Sequence, residues 1–144
     1  MYRLCIAVIT ALLLSTTTQA RDNIQTYSIE EALNANSGKS RLGDRVKFYF
    51  ADQTYGSASR KFGEYRTNKK TNALNKSDAE ACRWVFLSAL LALRDRAIKE
   101  GANAVVNIRS NYKNQIFASR TEYQCGAGSI MAGVALVADL VELK

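Results

Sequence analysis

The chain has 144 residues, with 20 Lys and Arg against 13 Asp and Glu, and it contains no histidine. This length suits one domain with one hydrophobic core. Because histidine is missing, acid–base chemistry would depend on carboxylates, Lys, Tyr or Cys. The composition therefore favours a basic binding module over an enzyme or metal centre that depends on histidine.

The first twenty residues have the layout of a secretory signal peptide. An early positive charge, Arg3, is followed by an apolar run from Leu4 to Leu14 and by small and polar residues ending at Ala20. The run is shorter than the roughly 20 residues of a spanning helix, which leaves an uncleaved anchor as the alternative. Cys5 lies inside the run and is poorly placed for lipid attachment. We predict cleavage after Ala20, a mature domain of residues 21–144 without a transmembrane segment, and a periplasmic or secreted location.

The tripeptide Gly38-Lys39-Ser40 matches the end of a phosphate-binding P-loop. The full motif needs a glycine where this chain has Leu33. It also needs a strand before the loop and a helix after it. Here Ser28 and Glu31 have the spacing of a helical capping box, and the strand-like segment 45–50 follows the tripeptide. We therefore interpret residues 38–40 as a helix stop and polar turn, not as a nucleotide site.

One long amphipathic helix is the clearest predicted element. Ser77 and Glu80 have capping-box spacing, and an apolar stripe follows at three- and four-residue steps until residue 101. Trp84, Leu87 and Leu91 lie away from that stripe, which indicates either cover by neighbouring loops or a protein contact face. The stripe itself consists of Cys82, Val85, Phe86, Ala89, Leu90, Leu93 and Ala97.

Alternating apolar residues predict strands on both sides of this helix. Val46, Phe48 and Phe50 share one face of the first strand. We expect the strands at 103–108 and 116–124 to form a hairpin across residues 110–114. The sequence thus predicts an α+β fold, with one long amphipathic helix packed on a small, mostly antiparallel sheet. The predicted strands are 45–50, 61–67, 103–108, 116–124 and 133–143.

Cys82 and Cys125 are the two thiols that remain after cleavage at Ala20. In an exported protein an even pair favours a disulfide, which would tie the helix to a strand. Two free buried thiols and a metal site are the alternatives, although two sulfurs without histidine do not complete a tetrahedral site. We predict a Cys82–Cys125 disulfide, no bound metal and no cofactor.

Two runs within residues 81–140 resemble known families: CRWVFLSALLALRDRAIKEGANAVVNIRSNY and TEYQCGAGSIMAGVAL. They are similar to small exported bacterial proteins labelled excinuclease ATPase subunit, and more distantly to the Rcs stress-sensing outer-membrane lipoprotein and the YbjQ-like family. The Rcs resemblance implies disulfides that hold the helix and strands together. The chain departs from these families, because it has two core cysteines instead of four, no lipobox cysteine, no P-loop and no heavy-metal ligand set.

The carboxylates do not have the placement of a catalytic pair. Glu30 and Glu31 are adjacent, so on a helix they point about 100° apart. Asp139 lies within an apolar strand and shares a face with Ala135 and Val137, which indicates a partly exposed strand position. We predict no catalytic residue, with a metal-handling module and an enzyme as the alternative functions.

The positive charge is concentrated in residues 39–76, which contain ten basic and three acidic residues. Aromatic residues are interleaved with the basic ones, and such a segment is suited to an anionic surface. Outside the cytoplasm that surface would be an anionic envelope component or an acidic protein, and nucleic acid is a poor candidate. The alternative is that the basic segment is a solvated surface that binds no partner. We predict an exported envelope binding or sensing module whose anionic-surface residues are Arg60, Lys61, Arg66, Lys69 and Lys70.

Export can be tested by intact mass. We expect the protein from a periplasmic extract to have a mass that starts at Arg21, because the small-residue site ends at Ala20. A full-length mass would contradict the predicted cleavage.

Overall fold

The computed structural model describes residues 22–144, so the predicted signal peptide and its cleavage site lie outside the described residues. Short 3-10 turns occur at residues 35–37 and 112–114. The helices and strands are β1 (Asn23–Ser28), α1 (Ile29–Asn34), α2 (Gly38–Leu42), β2 (Lys47–Phe50), β3 (Ala58–Asn72), α3 (Asp78–Glu100), β4 (Ala104–Ser110), β5 (Glu122–Ala127) and β6 (Met131–Leu143).

β6 is the central strand of a six-stranded sheet. One of its edges pairs antiparallel with β3 from residue 131 to residue 143. The other edge pairs with β5 at residues 132–133 and with β4 at residues 136–141, also antiparallel. β1 extends the sheet beyond β5, and β2 pairs in parallel with β4. The fold is therefore α+β, with a mixed, mostly antiparallel sheet and one long helix.

α3 packs on one face of this sheet. Glu80 N–H donates to Ser77 Oγ (3.1 Å), so the predicted capping box is present. Every residue of the predicted apolar stripe is buried in one core with the even-numbered residues 132–140 of β6. The Phe86 ring stacks on the Tyr123 ring, with centroids 3.9 Å apart. Burial raises the pKa of the Tyr123 phenol, so this phenol stays neutral inside the core.

The second side of α3 is covered by the helical run from Ile29 to Leu42, not by loops. Leu87 is buried in the same core as Ile29 and Leu42. The guanidinium of Arg41 lies over the Trp84 ring, 5.5 Å from its centroid. These contacts explain why α3 is apolar on more than one side.

The prediction of a polar turn at residues 38–40 was wrong, because Gly38–Leu42 forms the short helix α2. The chain bends before α2, where Asn36 and Ser37 have positive φ angles of 52° and 58°. A Cβ at Gly38 would lie 2.7 Å from the Leu33 carbonyl oxygen, so the bend requires glycine there. β2 follows α2, and the order of helix before strand is the reverse of a P-loop.

The hairpin expected between strands 103–108 and 116–124 was also wrong. Only an isolated bridge joins Ser110 to Phe117, and the later strand is β5, at Glu122–Ala127. β5 pairs with β1, a strand that the sequence pattern did not indicate, and with β6. β3 is longer than the predicted 61–67, since its pairing with β6 extends through polar residues at both ends.

The predicted disulfide is present between Cys82 of α3 and Cys125 of β5. Both cysteines are fully buried, and their Cα atoms lie 5.9 Å apart. The bridge therefore attaches the long helix to the sheet from within the core.

Replacing both cysteines by alanine should lower the free energy of unfolding by about 3–4 kcal/mol, because a bridge that closes a loop of this length restricts the unfolded chain. Urea denaturation with and without reductant measures the effect. The reductant should shift the midpoint of the wild type and leave that of the double variant unchanged. Equal stability of the two oxidised proteins would contradict the prediction.

Candidate functional site

The sheet face opposite α3 carries the odd-numbered side chains of β6. At one end of this face Ala104, Val106 and Val141 form a small separate apolar cluster. The rest of the face is a groove of about 970 Å³. Because no helix covers this face along residues 22–144, the groove is the concave surface that the fold leaves open.

The groove has a floor of small residues, Gly133 and Ala135 of β6. β3 forms one wall, since its residues 66, 68 and 70 pair with residues 137, 135 and 133 of β6 and therefore share their face. The 3-10 turn at 112–114 forms the opposite wall, and the β5–β6 turn lies at one end. The polar and charged lining residues are Asp22, Arg66, Thr67, Asn68, Lys70, Asn111, Tyr112, Lys113, Asn114 and Ser129, and the large exposed apolar ones are Ile130 and Met131.

Two glycines make room for an aromatic ring beside the groove. Gly126 of β5 pairs directly with Gly133 of β6. A Cβ at Gly126 would overlap the phenol ring of Tyr112, and a Cβ at Gly133 would lie 3.7 Å from it. The Tyr112 ring thus occupies the space that a side chain at Gly126 would need, which places the 112–114 turn against the sheet.

An ion pair at this wall neutralises one of the groove's cations. Tyr112 Oη donates to Asp22 Oδ1 (3.2 Å), and Lys113 Nζ forms a salt bridge with Asp22 Oδ2. The hydrogen bond from Lys113 lowers the pKa of the Asp22 carboxyl, and the same bond raises the pKa of the Lys113 ammonium. Burial raises the pKa of the Tyr112 phenol. Lys113 therefore serves to hold Asp22 and the turn.

The structure divides the five basic residues predicted to bind an anionic surface. Arg66 and Lys70 line the groove, and Arg66 Nη2 lies 3.3 Å from Glu64 Oε1. No ion pair among residues 22–144 involves Lys70. Lys61 lies on the same face, because it pairs with Val141 beyond a bulge in β3.

Arg60 and Lys69 lie on the other face of β3, beside α3, because their cross-strand partners are Glu142 and Val134. The Arg60 guanidinium lies over the Phe62 ring (4.8 Å) and 3.9 Å from the Glu142 carboxylate. The five residues therefore do not form one surface, and two of them belong to the groove.

Asp139 lies beyond the groove on the open face and is half-buried. Its Oδ2 accepts a hydrogen bond from Asn107 Nδ2 (3.1 Å), and Asn107 occupies a bulge in β4 with a φ of 52°. Glu64 is its cross-strand neighbour, and Arg109 lies 3.4 Å from Glu64. These contacts give Asp139 a structural role in orienting the bulge.

Among residues 22–144 there is no group of three or more His, Cys, Asp or Glu side chains suited to a metal ion. Both thiols of this region are joined in the disulfide, so neither can act as a thiolate ligand while the bridge is intact. In the same region the helices are too short or too polar to cross a membrane.

No protein-family model, curated protein or solved structure matches this chain.

Of the residues that line the groove, the sequence pattern singled out only Arg66 and Lys70. Tyr112 and Asn111 come from a loop that was expected to be a hairpin turn, and Ile130 and Met131 come from the β5–β6 turn. The nearest indication was the small-residue run CGAGSIMAG, whose Gly126 and Gly133 pair across the two strands.

The contact between Tyr112 and Gly126 can be tested by substitution. Gly126→Ala should lower the free energy of unfolding by about 1–3 kcal/mol, because the added methyl overlaps the Tyr112 ring. In a Tyr112→Ala background the same change should cost less, which urea denaturation of the four proteins measures as a double-mutant cycle. Gly56→Ala is the control, since nothing lies within 4 Å of a Cβ there. An equal cost in both backgrounds would contradict the assignment.

Proposed function

We propose that the protein is an exported binding module of the bacterial envelope that holds an anionic, partly apolar ligand in the groove on the open face of its sheet. The observation that carries this proposal is the combination of a floor of small residues with two cations, Arg66 and Lys70, on one wall. Export, the envelope location and the role in stress sensing that the Rcs resemblance implies are parts of the same proposal.

Charge supports an anionic ligand. The Lys70 ammonium is exposed and has no carboxylate partner among the described residues, so an anion can approach it without breaking an existing ion pair. Arg66 has a carboxylate partner, but both side chains of that pair are exposed, with 63% and 45% relative accessibility. Exposed pairs are weak, so Arg66 can exchange Glu64 for a ligand at little cost.

The remaining lining supports a ligand that is also partly apolar. Ile130 and Met131 lie at one end of the groove, while Asn68 and Asn111 offer amide hydrogen bonds along its length. Binding sites commonly combine such an apolar surface with a few polar groups that orient the ligand. Lys70 pairs with Gly133, two residues from Met131, so a ligand with an anionic head at Lys70 and a hydrocarbon part toward Met131 contacts both kinds of lining.

Calorimetric titration with decyl phosphate, kept below its critical micelle concentration, tests the proposal. We expect saturable binding that weakens as salt is added, because exposed charges are screened. Lys70→Glu should weaken binding about tenfold, or ~1.4 kcal/mol, because the change removes one attraction and adds one repulsion. Decyltrimethylammonium, which has the same chain and the opposite charge, should not bind.

The matched control is Lys47→Glu. Lys47 is exposed on β2 and does not line the groove. The two variants have the same net charge, because each replaces one lysine by glutamate. It should bind decyl phosphate as the wild type does. Equal weakening by both variants would show that net charge, and not the groove, attracts the ligand, and the proposal would then fail.

A further inference from the structure

Three large apolar side chains protrude from one end of the sheet. Leu74 is 52% exposed, Ile130 is 60% exposed and Met131 is 45% exposed. We call these three residues the apolar tip. Exposed apolar residues are common singly, but a group of them in adjoining turns is characteristic of a contact surface.

Backbone hydrogen bonds hold the two turns of the apolar tip together. Asn72, the last residue of β3, pairs with Met131, the first residue of β6. Just beyond this pair Ala73 N–H donates to the Ile130 carbonyl (2.7 Å), and Leu74 N–H donates to Asn72 Oδ1 (2.7 Å). The tip is therefore a fixed feature of the β3–β6 end. Ile130 and Met131 also line the groove, whereas Leu74 does not.

Exposed lysines surround the apolar tip. Lys69 and Lys70 precede it on β3, and Lys76 follows it, with its Nζ donating to the Asn72 carbonyl (3.0 Å). None of the ion pairs within residues 22–144 involves these three lysines.

The acidic side chains near the tip do not cancel this charge at the surface. Asp22 is already paired with Lys113. Asp78 and Glu80 are half-buried in the first turn of α3, where the helix dipole favours negative charge. The exposed and unpaired charges around the tip are therefore positive.

We propose that the apolar tip docks onto an anionic phospholipid bilayer, with Leu74, Ile130 and Met131 below the headgroups and the lysines at the phosphates. Apolar side chains combined with lysines are the pattern by which proteins bind a membrane interface without spanning it. A standard protein interface needs about 20–30 residues on each side. Three side chains in two turns are too few for that, but they are sufficient to enter a bilayer surface.

This inference extends the proposed function and shares Ile130, Met131 and Lys70 with the groove, whereas Leu74 belongs to the tip alone. The groove extends to the tip, because Ile130 and Met131 belong to both. A protein docked in this way holds that end of its groove at the lipid surface, where anionic amphiphiles are concentrated.

The test is co-sedimentation with vesicles made of equal parts phosphatidylglycerol and phosphatidylcholine, and with vesicles of phosphatidylcholine alone. The protein is used in the form that the cell produces, so any contribution of residues 1–20 is common to all variants. We expect binding to the anionic vesicles, weaker binding at high salt, and little binding to phosphatidylcholine. Leu74→Asp should reduce vesicle binding about tenfold or more, because it removes apolar burial and adds a charge that the lipid repels.

Ile116→Asp is the matched control, because Ile116 is 53% exposed and lies away from the tip. Its neighbour Phe117 pairs with Ser110, and Ser110 pairs with Leu136 of β6. Leu136 is five residues, or about 16 Å, along the strand from Met131. Ile116→Asp should bind vesicles as the wild type does. Equal losses in both variants, no loss in Leu74→Asp, or equal binding to both kinds of vesicle would overturn the inference.

Decyl phosphate separates this inference from the proposed function. Leu74→Asp should bind decyl phosphate in solution as the wild type does, since Leu74 does not line the groove. Vesicle binding that depends on Leu74, without decyl phosphate binding by the wild type, would support the docking surface and refute the groove. Decyl phosphate binding that depends on Lys70, without vesicle binding, would support the groove and refute the docking surface. Leu74→Gln, which removes the apolar side chain without adding a charge, should lose less vesicle binding than Leu74→Asp. Urea denaturation midpoints equal to that of the wild type show that the loss in either variant does not come from misfolding.

Discussion

β6 supports two different surfaces, because successive side chains of a strand point to opposite faces of the sheet. Its even-numbered residues from 132 to 140 pack under α3 in the main core. Its odd-numbered residues include Gly133 and Ala135, which form the floor of the groove. The strand pairs on both edges, so neither surface can shift along it without breaking hydrogen bonds to β3, β4 or β5. The position of the groove is therefore tied to the packing of the core.

α3 is attached to the sheet at β5. The buried Cys82–Cys125 bridge and the stacked rings of Phe86 and Tyr123 join the same two elements. Gly126, the residue after Cys125, faces the other way and lies under the Tyr112 ring. Consecutive residues of β5 thus hold the helix on one face and the groove wall on the other. Because of this arrangement, disturbance of the core at Cys125 is expected to reach the groove through the backbone of a single strand.

The basic segment shows how strand geometry converts a sequence cluster into separate sites. Arg66 and Lys70 are four residues apart and share a face, whereas Lys69 points to the opposite side of β3. Lys113, from a distant part of the chain, reaches the same groove but is neutralised by Asp22. The net charge of a segment therefore overstates the charge that a ligand would meet, since strand alternation and local ion pairs remove part of it.

Local patterns were sufficient for α3, its cap at Ser77, the apolar face of β2, the central strand β6 and the pairing of Cys82 with Cys125. Each of these depends on residues whose spacing or burial is visible within one element. The disulfide is the exception, because the predicted cleavage after Ala20 leaves one possible pair of cysteines. The sequence by itself thus determined the α+β class, the helix and the presence of a basic segment. Only the tertiary structure decided that β5 pairs with β1, that residues 38–42 form a helix, and that Tyr112, Lys70 and Met131 meet around one groove. The reason is that strand partners and turn positions depend on contacts between residues far apart in the chain, and no local periodicity records them.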